Sequence, residues 1–277
     1  MQHSDLLVKL IKPLNLAISE YSFANLYLFR DIHSFGVLTG ERCVVFGKTR
    51  SGADYIMPMF KPEKGDLAFL KGLAGRERSI FPVPEEWLSV FPAGECEASF
   101  LDCDSDYIFT TEKMSQLKGG RLHKKRNLLK QFVEAYAHEA VPLTADRTGD
   151  ALKILDKWQA DSGEQSSATD YGPCAEALKL MEKLKLCGAI IYADNEPAGF
   201  LLGEEIHGGD MYALHFGKGD KKFKGLYQYM YNSFSKILPG KYKFINIEQD
   251  MCNPALRLSK SSYQPDMMAK KYSVRFI

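Results

Sequence analysis

The sequence predicts an α+β protein built as two tandem units, each a mixed, mainly antiparallel sheet flanked by helices. Three observations predict it. Residues 186–216 alternate apolar runs with turn residues, as consecutive antiparallel strands do. A Gly/Lys loop, an amphipathic helix and another apolar strand follow. Residues 42–101 repeat that order in outline. The chain has 277 residues, 45% apolar and 26% charged, which is enough for a large core without disulfide or metal staples. The division is placed at 112/113. Residues 1–112 form a first unit read as non-catalytic, and 113–277 a second that carries the cleft.

In order, Leu6, Leu7, Leu10, Ile11 and Leu14 mark an amphipathic helix, not a signal peptide, because Lys9, Lys12 and Pro13 interrupt them. Arg42–Lys48 and Ala53–Phe60 form a hairpin across Ser51-Gly52. Glu63–Leu73 and Pro84–Val90 are helices, and Glu97–Leu101 is a strand. The bridging helix begins at the basic stretch His123-Lys124-Lys125-Arg126-Asn127, with Leu128, Leu129, Phe132, Val133 and Tyr136 on one face. Asp150–Gln159 is helical and Asp161–Tyr171 a polar loop. Strands Leu186–Asp194, Ala198–Glu205 and Met211–Phe216 lead to the loop 217–225. A helix Leu226–Leu238 follows, stopped by Pro239-Gly240. Strand Tyr242–Glu248, helix Pro254–Ser261 and closing strand Lys271–Ile277 complete the second unit. This is the order of a GNAT-type, acyl-CoA N-acyltransferase-like domain.

The net charge of +1 conceals an asymmetry: residues 1–112 sum to −5 and residues 113–277 to +6. Seven basic residues and no acidic one lie from Lys113 to Lys130. Such clusters suit a polyanion such as RNA, a phosphorylated cofactor or an anionic lipid surface, or are solvated helix faces. The longest apolar runs fall far below the ~18 residues of a membrane span. The six cysteines show no CxxC pair and read as buried thiols in a reducing compartment, so the expected location is the cytoplasm, with no metal.

The loop 217–225 ends where a helix begins, where free amides and the helix dipole face an anion. Lys218, Lys222 and Gly225 are its candidate phosphate contacts. Lys124, Lys125 and Arg126, in a helical first turn, oppose the macrodipole and are better placed to hold an external anion. Glu248 and Asp250, at the exit of the strand Tyr242–Glu248, are candidate general bases or ammonium binders. Arg257 and Lys260, one helical turn apart, pair with them or bind donor phosphate. His215, near the loop, is a candidate base or a structural histidine. No nucleophile elbow, phosphate-binding Walker motif, dinucleotide fingerprint or HExxH occurs. That favours direct transfer in a ternary complex.

Four stretches carry a family resemblance: Ser22-Phe23-Ala24-Asn25-Leu26-Tyr27-Leu28-Phe29-Arg30; the basic start His123–Asn127; His215-Phe216 through Gly225-Leu226-Tyr227-Gln228; and Ile245-Asn246-Ile247-Glu248-Gln249-Asp250 with Leu256-Arg257, Lys260 and Ser262-Tyr263-Gln264-Pro265. The chain resembles the bacterial family grouped with the C-terminal domain of phosphatidylglycerol lysyltransferase. That resemblance implies two tandem GNAT-like domains and transfer of an aminoacyl group from charged tRNA to a hydroxyl or amine. The acceptor is a small molecule or a lipid headgroup. The alternatives are an acetyl-CoA-dependent N-acyltransferase and a non-catalytic RNA-binding module. The expected partners are tRNA and, peripherally, a membrane surface, but not DNA. Apart from the co-substrate no cofactor is expected.

Overall fold

The computed structural model describes residues 2–277, in which thirteen strands form two sheets. The first contains β1 (Gly36–Leu38), β2 (Val44–Lys48), β3 (Asp54–Pro58), β4 (Ser79–Pro84) and β5 (Cys96–Phe100). The second contains β6 (Asp106–Thr110), β7 (His138–Pro142), β8 (Cys187–Ala193), β9 (Glu196–Ile206), β10 (Met211–Gly219), β11 (Phe244–Asn246) and β12 (Met267–Ala269). The last strand, β13 (Lys271–Phe276), returns to the first sheet and lies between β4 and β5. The sheets are thus ordered β1-β2-β3-β4-β13-β5 and β12-β6-β11-β10-β9-β8-β7. Both are mixed, mainly antiparallel and helix-flanked, giving two GNAT-like halves.

The second sheet is buried on both faces because apolar residues on both sides of its central strands pack against helices. Ile190, Phe200, Leu202 and Phe216 pack toward the helices Thr148–Ser162 and Tyr171–Leu180. Ile191, Leu201 and Leu214 pack toward the helices His123–Ala135 and Leu226–Ile237. Each fully buried side chain of this size contributes roughly 1.5–3 kcal/mol. The first sheet has its own core around Val44, Ile56, Ile80, Trp87 and Val274. The short helix Phe23–Leu28, capped by the Ser22 hydroxyl, belongs to both: Leu26 joins the first core, while Ala24 and Leu28 join the second.

Most expected elements form within a few residues, with three differences. Pro84–Val90 is a 3-10 turn from Glu85 to Val90, not an α-helix. The expected loop Asp161–Tyr171 ends in a helix, Tyr171–Leu180, that carries core residues Cys174, Ala177 and Leu178. The boundary at 112/113 does not follow the sheets, because β6 lies before it yet pairs with β11 and β12, and β13 lies far beyond it yet pairs with β4 and β5. Nothing local in these strands' apolar patterns specifies their sheet.

The chain crosses between sheets at residues 101–105 and at Lys270, and the two crossings meet at one ionic cluster. The Lys271 ammonium, with no side-chain exposure, lies 2.6 Å from Asp106 Oδ1 and 2.6 Å from Glu20 Oε2. It also donates to Gln249 Oε1 at 3.0 Å. The second oxygen of Asp106 accepts from the Ser19 amide at 2.8 Å and Asn246 Nδ2 at 2.9 Å. Burial raises the Glu20 carboxyl to about 7 against the pull of Lys271. The adjacent carboxylates and surrounding oxygens hold Lys271 charged well above the usual lysine range, although burial opposes this.

Two predictions follow from the crossing. A fragment of residues 113–277 lacks β6 and leaves β13 without its sheet, so it shows no cooperative urea transition; a cooperative, native-like fragment contradicts the pairing. Lys271→Met strands two carboxylates and costs about 3–5 kcal/mol in chemical denaturation of the full chain; a change below about 1 kcal/mol contradicts the cluster's role.

Candidate active site

β10 and β11 run parallel only from Met211 to Ala213 and from Phe244 to Asn246. At that point β10 carries a bulge against β9, between Leu214 and Phe216, which re-aims the intervening His215. Its buried ring is held at both nitrogens, Nδ1 2.8 Å from Glu248 Oε1 and Nε2 3.0 Å from Glu204 Oε1. Burial opposes a charged ring, but the two carboxylates outweigh it and raise His215 to about 10. At neutral pH this is an imidazolium between two carboxylates. It has no lone pair to accept a proton, which removes the general-base reading.

The trio Glu204, His215 and Glu248 carries a net charge of −1. The two carboxylate side chains keep 16% and 15% exposure. Each has one oxygen on His215, and its other oxygen has no partner among the described residues and is accessible. Two free carboxylate oxygens at a parted strand pair suit a cation with several donors, such as an ammonium group. Asn25, from the helix Phe23–Leu28, donates to Glu248 Oε1 at 3.4 Å, so the first half contributes to this wall.

Glu248 does not lie on the strand expected over Tyr242–Glu248, because β11 ends at Asn246. Asn246 ends the strand, and its side-chain oxygen accepts the Glu248 amide at 2.6 Å while Glu248 turns to φ 59°. Asn246 thereby links this trio to Asp106 and the Lys271 cluster. Asp250 is fully buried and accepts from Tyr107 Oη at 2.7 Å, Arg257 Nε at 2.9 Å and the Cys252 amide at 3.0 Å. Burial would raise its carboxyl, but these donors hold it below the usual range. Asp250 is an ion-paired loop anchor, not a base. Lys260 donates to the carbonyls of Ile247 and Gln249 at 2.7 and 2.6 Å, and more distantly to Glu248. Burial lowers its ammonium to about 8.

The expected phosphate contacts do not form one cradle. Lys218 is buried, 2.6 Å from Asp170 and 3.5 Å from the Trp158 ring centre. Lys222 pairs with Glu196. Arg126 donates to the carbonyls of Leu117 and Gly119 at 2.6 and 2.7 Å, closing the end of the preceding helix. Lys125 stacks 4.0 Å over Tyr263, and burial lowers its ammonium. Arg257 is committed to Asp250. Gly225 serves packing: at φ +86°, a Cβ there would lie 2.1 Å from the Leu128 carbonyl. Lys124 stays exposed, beside Lys118 and Arg121 on the same segment, with no ion pair among the described residues.

The sequence did not single out Glu204 or the Glu20–Asp106–Lys271 cluster, and Asn25 and Asn246 stood there only within the family-like stretches, without a role. One signal was present: Glu204 lies within an apolar-rich strand, and Asp106 and Lys271 open theirs, positions where a charge is unusual unless it is paired. A correction also concerns the cysteines. Cys103 and Cys252 form a disulfide across 149 residues, with Cα atoms 4.9 Å apart, so the six are not all free thiols. Cys43, Cys96, Cys174 and Cys187 are free.

Two GNAT-like sheets, with a charged site where the second sheet's parallel strands part, define the class: a tandem GNAT-like fold. The model of the family "Phosphatidylglycerol lysyltransferase, C-terminal" matches residues 11–275, and the chain belongs to that family. A conserved protein of unknown function from Bacteroides thetaiotaomicron VPI-5482 superposes with TM-score 0.88 at 22% identity, over 100% of this chain and 97% of that one. L-PGS from Bacillus licheniformis superposes with TM-score 0.58 at 12% identity, over 92% and 91% of the two chains. An uncharacterized protein of Mycoplasmoides gallisepticum is 25% identical over 181 residues, 64% of this chain. The match spans 58% of that relative's length. Among the described residues no helix is long and apolar enough to cross a membrane.

The His215 clamp makes a direct prediction. In nitrogen-detected NMR both ring nitrogens of His215 stay protonated from pH 6 to 9, with titration near pH 10. The raised value favours the folded state: this stabilisation is complete below 6.5 and lost as pH rises through about 10. Glu204→Gln moves the titration down; a wild-type ring that titrates near 6.5 contradicts the clamp.

Proposed function

We propose that this protein is an aminoacyltransferase that moves an aminoacyl group from charged tRNA to a hydroxyl acceptor, a lipid headgroup being the acceptor that fits its family. The observation that carries this reading is the net-negative trio Glu204–His215–Glu248, in which each carboxylate has one oxygen on His215 and the other left accessible. An aminoacyl ester differs from an acetyl thioester in bearing an ammonium group. A carboxylate pair binds that ammonium and gains nothing from an acetyl group.

His215 holds both carboxylates fixed in direction, so the ammonium meets a preorganised site. The acceptor oxygen attacks the ester carbonyl, the new ester forms, and the tRNA 3′-terminal ribose oxygen leaves with the proton. The sequence carries no nucleophile motif, which favours meeting of donor and acceptor in one cleft. The exposed cations Lys118, Arg121 and Lys124 supply phosphate contacts for tRNA. The lysines at 218 and 222 are committed to Asp170 and Glu196, which weighs against a pyrophosphate-binding loop for coenzyme A.

The test uses the full chain, lysyl-tRNA and other aminoacyl-tRNAs carrying labelled amino acids, and phosphatidylglycerol vesicles. Labelled lipid forms, and Glu248→Gln or Glu204→Gln reduces the rate roughly 10- to 100-fold, the size of one charge-assisted hydrogen bond of about 1.5–3 kcal/mol. Unchanged rates in both variants contradict the ammonium site. Acetyl transfer from acetyl-CoA, with none from any aminoacyl-tRNA, contradicts the donor.

A further inference from the structure

The segment 247–253 carries Glu248 and Asp250 between β11 and the helix Pro254–Ser261, and its backbone is strained. Glu248, Met251 and Cys252 adopt φ of 59°, 54° and 57°. In that left-handed region a side chain crowds its own backbone. Three such residues within five positions persist only when their surroundings hold them. On the inner side Lys260 grips the carbonyls of Ile247 and Gln249, while Tyr107 and Arg257 grip Asp250. On the outer side the hold is covalent. Exposed Cys252 is bonded to buried Cys103, and the Met251 amide donates to the Cys103 carbonyl at 3.2 Å. Cys103 sits on the crossing that leads into β6 and Asp106, so the disulfide ties the Glu248 segment to the seam between the halves.

We propose that the Cys103–Cys252 disulfide is a reversible redox brace that keeps the segment 247–253 in the form that presents Glu248, so that the thiol state of the chain sets the activity of the cleft. The inference rests on the reading of Glu248 as part of the substrate site. The reductant is a dithiol. One of its thiolates attacks the exposed Cys252 sulfur, and Cys103 leaves as a thiolate and takes a proton. The second thiol of the reductant then attacks the mixed disulfide and releases the Cys252 thiol. Two electrons and two protons pass to the protein, and the reductant ends as its own disulfide. With the bond broken, Met251 and Cys252 can leave the left-handed region. The grips on Asp250 and the 247–249 carbonyls remain, so the reduced form is loosened at this segment and still folded.

The experiment compares the full chain purified without reductant, the same protein after dithiothreitol, and Cys252→Ser. Alkylation after denaturation labels four cysteines in the first sample and six in the second. Amide hydrogen exchange at residues 250–253 rises about tenfold or more on reduction, while the amides of β8–β10 are unchanged. Transfer activity falls with reduction and returns on reoxidation, and Cys252→Ser behaves as the reduced form and ignores dithiothreitol. Six labelled cysteines without reductant, or equal exchange at 250–253 in both states, overturns the brace. Altered exchange with equal transfer in both states overturns the regulation. Because exchange is read without substrate, a protein that transfers nothing from aminoacyl-tRNA refutes the functional reading while the brace is still decided by its own data.

Discussion

One buried ammonium holds the two halves of this molecule in register. Lys271 begins the strand that leaves the second sheet for the first, and both carboxylates that neutralise it come from elsewhere in the chain: Glu20 from before the helix Phe23–Leu28 and Asp106 from the start of β6. An ammonium without these partners would be too costly to bury, and the carboxylates without it would repel each other. The three therefore stand or fall together, and with them the crossing of β5 into β6 and of β12 into β13. The order of the sheets is a consequence of that shared constraint as much as of apolar burial.

The site inherits its geometry from the same place. Asp106 orients Asn246, Asn246 turns the Glu248 backbone out of the strand, and Glu248 meets His215 where the bulge in β10 has re-aimed the ring. Each link is a hydrogen bond of 3.0 Å or less, between groups with little freedom to move. A histidine held at both nitrogens by carboxylates is a fixed charge, so the chemistry of the cleft lies in the carboxylate oxygens left over. This turns two expected bases into other things: His215 becomes a clamp and Asp250 an anchor for the segment that bears Glu248.

Much of the second half was legible in the sequence because its strands are long, apolar and separated by strong turn residues. The helix Leu226–Ile237 and its stop at Pro239-Gly240 follow from the same local rules. The sheet assignment of β6 and β13 was not legible, since a five- or six-residue apolar strand fits either sheet and only distant charges decide. The site was half legible. Glu248 and His215 stood out as polar groups at strand ends, but their partner Glu204 lies on a neighbouring strand that sequence spacing cannot align. The basic stretch misled for a physical reason: Lys125 and Arg126 are drawn into packing and helix-end bonds, and Lys124 alone of that triplet stays free.

The most direct test of the account is calorimetric titration of lysinamide, an aminoacyl group without its tRNA, into the wild-type chain and into Glu204→Gln/Glu248→Gln. The wild type binds it at one saturable site, weakened at least about tenfold by the double substitution, with His215 still protonated when the ligand is bound. Equal affinity in the two proteins, or a ligand that displaces the proton from His215, would contradict it.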